Sequence, residues 1–250
     1  MDPCRQRRRG AKRFDFDRHS GPEVSRNAVA GDNRDRDFGG LDAKALGKLM
    51  DISPKLAELN VARFAAFGQQ PQKAALFSFA GDTYQGLDAQ SLDQDALDWA
   101  QNHLGILSGL YGVLRPFDAI EPYRLEMGSR LNTPRGASLY QWWGARVTDA
   151  LNVRAKAVGA KALVNCASQE YFGAVQPDKL HVPVITPVFQ DEKDGEFRII
   201  SFHAKRARGA MARFIMERRI VDIDGLKDFE TGGYRFHSST NDSNLMYFRR

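Results

Sequence analysis

Apolar residues recur at helical spacing over residues 41–51 and again over 55–67, with Leu46, Leu49 and Met50 on the first stretch and Leu56, Leu59, Ala62, Phe64 and Phe67 on the second. That period predicts two helices meeting at Ser53-Pro54. Residues 75–79 form a short apolar run closed by Gly81-Asp82, the pattern of a buried strand. A helix is expected over 95–107, a loop where Gly109, Gly112 and Pro116 interrupt the chain, and one long helix over 138–158 carrying Trp142 and Trp143. A strand at 162–166 leads to Ser168, which can cap a short helix running to Val175. Strands at 182–189 and 197–202 flank Lys193-Asp194-Gly195, a turn sequence that predicts a hairpin. A basic helix is expected over 204–219, and extended chain returns at 234–237 and 245–248. Helix and strand do not alternate strictly and no repeat is visible. The expected class is therefore α+β, a mixed sheet surrounded by helices, in a single domain over 41–250.

The first forty residues break this pattern, because they contain no Leu and no Ile. RQRRRG followed by GDNRDRDFGG cannot bury enough apolar surface to offset its ordering entropy. Residues 1–40 are expected to be a disordered tail, or else a stretch translated out of frame from a GC-rich gene. Charge follows the same division. The chain carries a formal +5, but residues 1–40 hold ten Arg or Lys against seven Asp or Glu, which leaves only +2 for residues 41–250. A basic surface on the body must therefore come from local clustering. The longest apolar stretches, 74–80 and 181–189, are far shorter than the roughly 20 residues of a membrane helix. The arginine-rich start has no apolar run behind it and does not read as a secretory signal. A cytoplasmic protein with no membrane partner is expected. Cys4 and Cys166 give neither a disulfide framework nor a Cys-x-x-Cys pair, and the five histidines are scattered, so no metal and no cofactor are expected.

Four segments carry candidate chemistry. In Leu46-x-x-Leu49-Met50-Asp51-Ile52-Ser53-Pro54-Lys55-Leu56-Ala57, Ser53 can cap and Pro54 suits the first helical position. The open amides with Lys55 can then hold a phosphate. An ordinary Ser-Pro helical corner explains the same residues. On the basic helix, Ala207, Ala210, Met211, Phe214 and Ile215 share one face while Lys205, Arg206, Arg208 and Arg213 fan across the other. Gly209 in that cationic face would let a ligand approach the backbone; the plain alternative is a solvated surface helix. In the segment from Leu107 to Gly128, Tyr111, Arg115, Tyr123 and Arg124 could stack on bases or clamp phosphates, or the arginines could pair with Asp118 or Glu126 in a packing loop. Finally, Asn165-Cys166-Ala167-Ser168-Gln169-Glu170 follows a strand, where Ser168, Glu170 or Cys166 could serve as a catalytic group. Gly81-Asp82-x-Tyr84-x-Gly86 lacks the Gly-Lys-Ser/Thr of a phosphate loop.

The first segment resembles the helix-hairpin-helix DNA-binding element, with Ile52 as the apolar hairpin residue and Asp51 and Ser53 in place of the usual glycines. More broadly, LMDISPKLAELNVARF, FAGDTYQGL, LSGLYGVLRPFDAIEPYRLEMG, NCASQEYF and ISFHAKRARGAMARFI, in this order and spacing, resemble the YaaA family of bacterial peroxide stress proteins. The resemblance covers Leu41 onward. Family chains begin with an apolar strand leading to Ser-Pro-Ala-Lys, of which only Ala11-Lys12-x-Phe14-Asp15-Phe16 is present. The resemblance implies a cytoplasmic protein that binds DNA through a positive cleft and a helix-hairpin-helix, and that protects against peroxide while limiting free iron. DNA is then the expected partner, with no obligate protein partner evident. Ser53, Lys55, Arg115, Arg124, Lys205, Arg206, Arg208 and Arg213 are the candidate DNA contacts, and Tyr111, Tyr123, Ser168 and Glu170 the candidate cleft. The alternative is an enzyme acting on a nucleotide or damaged nucleic acid.

Overall fold

Buried apolar side chains gather in two groups, one among helices and one between a sheet and a long helix. The structure, a computed structural model, describes residues 41–133, 135–240 and 244–250. The expectations for residues 1–40 lie outside them. Helices α1 (Ala43–Met50) and α2 (Pro54–Ala65) form where the apolar period predicts, and Asp42 opens α1 by accepting from the Ala45 amide at 2.7 Å. Leu46, Met50, Ala57 and Phe64 enter the helical core. The expected strand at 75–79 is corrected: pairing is confined to β1 (Lys73–Ala74), and Ala75–Phe77 turn as a 3-10 helix. The Ala75 and Leu76 amides donate to the carbonyls of Asp118 and Pro116, so the buried run is satisfied by a loop instead of a ladder. A helix absent from the expectation, α3 (Asp82–Leu87), starts at the Gly81-Asp82 break.

Helix α4 (Gln94–His103) stops before the expected 107, because Ile106 begins a hairpin of β2 (Ile106–Ser108) and β3 (Gly112–Leu114). Gly112 closes it at φ +80, and a Cβ there would meet the Trp143 ring at 2.8 Å. Strand β4 (Ala119–Ile120) pairs with β1. The long helix expected over 138–158 is two, α5 (Leu139–Trp143) and α6 (Arg146–Ala157), broken by Gly144 at φ +52. Ser138 caps α5, and the break turns both Trp142 and Trp143 into the core.

The larger sheet contains β5 (Leu163–Val164), β6 (Val184–Lys193), β9 (Leu245–Arg249) and β8 (Arg235–Thr240) in that spatial order, with β7 (Glu196–Arg198) hairpinned onto the far end of β6. β5, β6 and β9 run parallel and β8 antiparallel, so the sheet is mixed and the class α+β. The hairpin at 193–195 forms, but the strand expected over 197–202 ends at Arg198 because α8 (Ser201–Arg218) has begun. Alternation along β6 buries Ile185, Phe189 and Asp191. The side chains of Ala207, Met211 and Phe214 on α8 share a core with Ile185, Phe189, Met246 and Phe248. Each buried Phe or Met there contributes roughly 1.5–3 kcal/mol.

The opposite side of α8 crosses α3 at two glycines. A Cβ on Gly86 would lie 2.0 Å from the Arg206 carbonyl oxygen, and one on Gly209 would lie 1.8 Å from that of Thr83. This corrects the expectation for Gly209. It is buried, and the backbone that approaches it is α3 rather than a ligand.

Candidate functional site

At the α1–α2 corner Asp51 adopts φ +50, the left-handed conformation a hairpin glycine would supply. Ser53 is extended at the N-cap of α2, and Pro54 takes the first turn. The Ser53 hydroxyl makes no cap hydrogen bond and the first turn has no acidic residue, so its amides face solvent beside exposed Lys55. Ile52 is half-buried against the helical core. Among the described residues Lys55 has no ion-pair partner. The corner thus joins a positive helix end to a free ammonium group.

The four cations of α8 differ in how much of their charge remains available. Lys205 and Arg206 are exposed. Arg206 rests on the Phe202 ring, 5.5 Å from its centroid, and neither cation has a carboxylate partner among the described residues. Arg208 turns inward and donates to the Ala167 carbonyl at 2.8 Å; burial pushes its guanidinium pKa down. Arg213 ties α8 to the end of α3, donating to the Asp88 carbonyl at 2.9 Å and Ser91 at 2.7 Å and pairing with Glu217 at 2.7 Å.

Arg115 and Arg124 take the alternative that the loop sequence left open. Arg115 pairs with Asp118 at 3.3 Å, and Arg124 with Glu126 at 2.9 Å. Burial raises the Asp118 carboxyl despite Arg115, while Arg154 beside it donates to the Leu104 carbonyl at 2.7 Å. Of the candidate cleft residues, the two tyrosines touch each other. Tyr111 and Tyr123 meet edge to face with centroids 5.5 Å apart, and Phe79 stacks on Tyr84 while its edge meets Tyr123. The Tyr123 hydroxyl lies 2.6 Å from Ser108, and its pKa is raised, first by burial. Around α7 (Gln169–Phe172), Tyr171 senses Glu170, Glu126 and Arg124; burial, then those carboxylates, pushes its phenol up to about 12.

These groups hold the chain together. The Ser168 hydroxyl caps α7 by accepting from the Tyr171 amide, as its sequence position predicts, and Glu170 accepts from the Gly128 amide at 3.0 Å. Neither has a base or nucleophile paired with it among the described residues. Glu126 Oε2 is buried without a hydrogen-bond partner in the same set. The structure therefore brings Arg124, Tyr123, Ser168, Glu170 and Arg208 near α7. It leaves Lys55 at the α1–α2 corner and Arg115 beside Asp118.

One polar network has no warning in the sequence. The buried Asp191 carboxylate accepts from Arg250 Nε at 2.5 Å and the Tyr234 hydroxyl at 2.9 Å, with His203 Nδ1 at 3.1 Å. Burial would raise this carboxyl, but those hydrogen bonds and the Arg250 charge hold it below the usual carboxylate range. The network joins β6 to α8 and the end of β9. Among the described residues no cluster of three His, Cys, Asp or Glu could hold a metal ion, and no helix is long and apolar enough to cross a membrane.

A family profile described as peroxide stress protein YaaA matches residues 11–240. A UPF0246 protein of Dinoroseobacter shibae is 60% identical over 200 residues, covering 78% of this chain and 75% of its own length. The UPF0246 protein of Ruegeria pomeroyi is 54% identical over 209 residues, with 82% of each chain covered. A counterpart in Paraburkholderia phytofirmans is 51% identical over 216 residues, covering 84% and 83%.

Proposed function

The chain belongs to the peroxide stress protein YaaA family, and from that premise we propose that it is a DNA-binding protein of the peroxide response. It holds the phosphate backbone with little sequence selectivity and helps limit damage driven by free iron. The observation that carries the DNA reading is the start of α2, where uncapped amides and exposed Lys55 stand together with no acidic residue in the turn. Anions favour such a helix end because its N–H groups point outward and its dipole is positive there. Contacts of this kind touch backbone oxygens and carry no base identity, so binding tolerates sequence. Exposed Lys205 and Arg206 on α8 supply a second group of phosphate contacts. Ser53, Arg115, Arg124, Arg208 and Arg213 act indirectly, by setting the α2 corner or bracing their own segments.

Fluorescence anisotropy with short duplexes of two unrelated sequences tests the reading. Both duplexes are expected to bind alike at low salt, and Lys55→Glu to weaken both by at least roughly tenfold. Absence of duplex binding at low salt, or affinity indifferent both to Lys55→Glu and to Lys205→Glu with Arg206→Glu, overturns it.

A further inference from the structure

The core between α8 and the larger sheet uses one face of that sheet. Alternation along β6 sends Ile185, Phe189 and Asp191 toward α8 and leaves Val184, Thr186, Val188 and Gln190 on the outer face. The register adds Leu163 from β5, and Leu245, Tyr247 and Arg249 from β9, to the same outer face. Leu163, Val184, Val188, Leu245 and Tyr247 pack against neither hydrophobic core. Parallel strands such as β5, β6 and β9 are ordinarily covered on both sides. Charge is thin in the middle of the face. Arg249, the cation among these residues, donates to Gln190 at 3.0 Å, meets His237 Nε2 at 2.9 Å and lies 4.4 Å from the Phe197 centroid. The two ends of the face differ. At the start of β6 it runs into a groove of about 470 Å³ whose apolar lining is Pro177, Leu180, Val182, Pro183 and Val184. At the far end Phe197 on β7 stands opposite Glu192, 39% exposed.

We infer that the outer face of this sheet is the interface of a twofold dimer, in which a second copy of the chain stacks its own sheet against it. A twofold interface must be complementary to itself, and the two unlike ends of this face meet that condition. An axis crossing the strands at the level of Val188 and Tyr247 places position 192 of one copy over position 184 of the other, four residues to either side of the axis. Phe197 then comes over the partner's Leu163 and Val184, beside the partner's groove, so the aromatic ring at one end fills the apolar hollow at the other. Exposed Glu192 comes to the end of the sheet where exposed Lys161 stands, and neither has an ion-pair partner among the described residues. Both charges fall at the rim, while Val188, Tyr247 and Leu245 occupy the charge-poor centre, the arrangement that interfaces favour. With strands about 4.8 Å apart and a rise of about 3.3 Å per residue, the face is roughly 20 Å across and 30 Å long. That is about 600 Å² before side-chain relief is added, against about 800 Å² per partner in a standard interface. Aligned stacking of two twisted sheets, as in a sandwich, needs no change in either copy. No residue of the α2 corner belongs to this face, so the dimer and the DNA reading stand or fall separately.

Sedimentation velocity of the full chain, without DNA and over about 1 to 100 μM, tests the inference, since interfaces of this size reach micromolar affinity or better. The wild type is expected to move from the 28.0 kDa of one chain toward twice that mass as concentration rises. Val188→Lys with Tyr247→Lys, which places charge at the centre of the face, is expected to remain a monomer throughout. Phe197→Ser, at an exposed position outside both cores, is expected to raise the dissociation constant at least roughly tenfold, and it keeps the test readable where the lysine pair unfolds. In a Cys4→Ser background, Val188→Cys is expected to give a crosslinked dimer with a short bis-maleimide, because the same residue of both copies lies near the axis. A wild type that is monomeric across the range overturns the inference. So does a dimer that survives both Val188→Lys with Tyr247→Lys and Phe197→Ser, which would place the contact on another surface. A monomer in which Val188→Cys is shielded from maleimide also overturns it and assigns the face to another part of the same chain.

Discussion

Replacing Gly209 by alanine sets helix propensity against packing. A methyl at this position would lie 1.8 Å from the Thr83 carbonyl oxygen and 2.7 Å from the Leu87 amide nitrogen, both backbone atoms of α3. No rotamer change can relieve a contact with backbone, so α3 and α8 must separate by about 1.5 Å for the carbon to regain an ordinary non-bonded distance. The crossing has no slack on its other side, where Gly86 meets the Arg206 carbonyl. Overpacking of a tight core costs about 1–3 kcal/mol and sometimes more, and a backbone clash belongs at the upper end. Alanine returns about 1 kcal/mol through its better helix propensity. The net loss is then at least about 2 kcal/mol, which for a chain of this size lowers Tm by roughly 4–8 °C. Calorimetry or circular dichroism melts would read it. A variant as stable as wild type, or more stable, would refute the packing argument. Unchanged stability with weakened DNA binding would instead restore the role that the sequence alone proposes for Gly209, close approach of a ligand.

The Asp191 network gives a prediction with a pH signature. Asp191→Asn keeps the shape and removes the charge facing Arg250 and His203, so it should cost about 2 kcal/mol at neutral pH. Because the folded carboxyl lies below its ordinary 3.8, its stabilisation is complete above that value and is lost as pH falls through the lower folded value. Urea midpoints of wild type and variant should therefore differ at neutral pH and converge below about pH 4; a constant gap down to strong acid would contradict this. Burial pushes the half-buried Cys166 thiol up to about 12, with Arg208 only partly opposing, so it is neutral and unreactive near pH 8. In a Cys4→Ser background a disulfide-exchange reagent should label it slowly in the native state and rapidly in denaturant, and hydrogen peroxide should leave its native mass unchanged. Rapid native labelling would show a thiolate that this environment does not support.

What the sequence made legible, and what it hid, follows from the range of the interactions. The apolar faces of α1 and α8 could be read because their partners are large side chains repeating at a local period, whereas on α2 the expected Leu56, Leu59 and Ala62 are exposed and Ala57, Asn60 and Phe64 face the core instead. The Ser168 cap could be read because its acceptor and donor lie three residues apart. Helix α3 and the role of Gly209 could not, since two glycines carry no hydrophobic signal and the contact joins segments more than a hundred residues apart. The break at Gly144 was hidden by an apolar period that runs through it, from Leu139, Trp142 and Trp143 to Val147 and Leu151, with one positive φ deciding the outcome. In the site, pairing of Arg115 and Arg124 with nearby acids was visible as one of two options, whereas the long-range bonds of Arg208 and Arg213 were not. The Asp191, His203, Tyr234 and Arg250 network is assembled from residues with no common spacing, which only the sheet brings together.

On the proposed reading a phosphate backbone is held at the start of α2. The most direct measurement is the salt dependence of duplex affinity for wild type and Lys55→Ala. Log affinity should fall linearly with log salt in wild type, and loss of one phosphate contact should make the slope shallower by about 0.9. Equal slopes for the two proteins, or a wild-type affinity that does not respond to salt, would contradict the account.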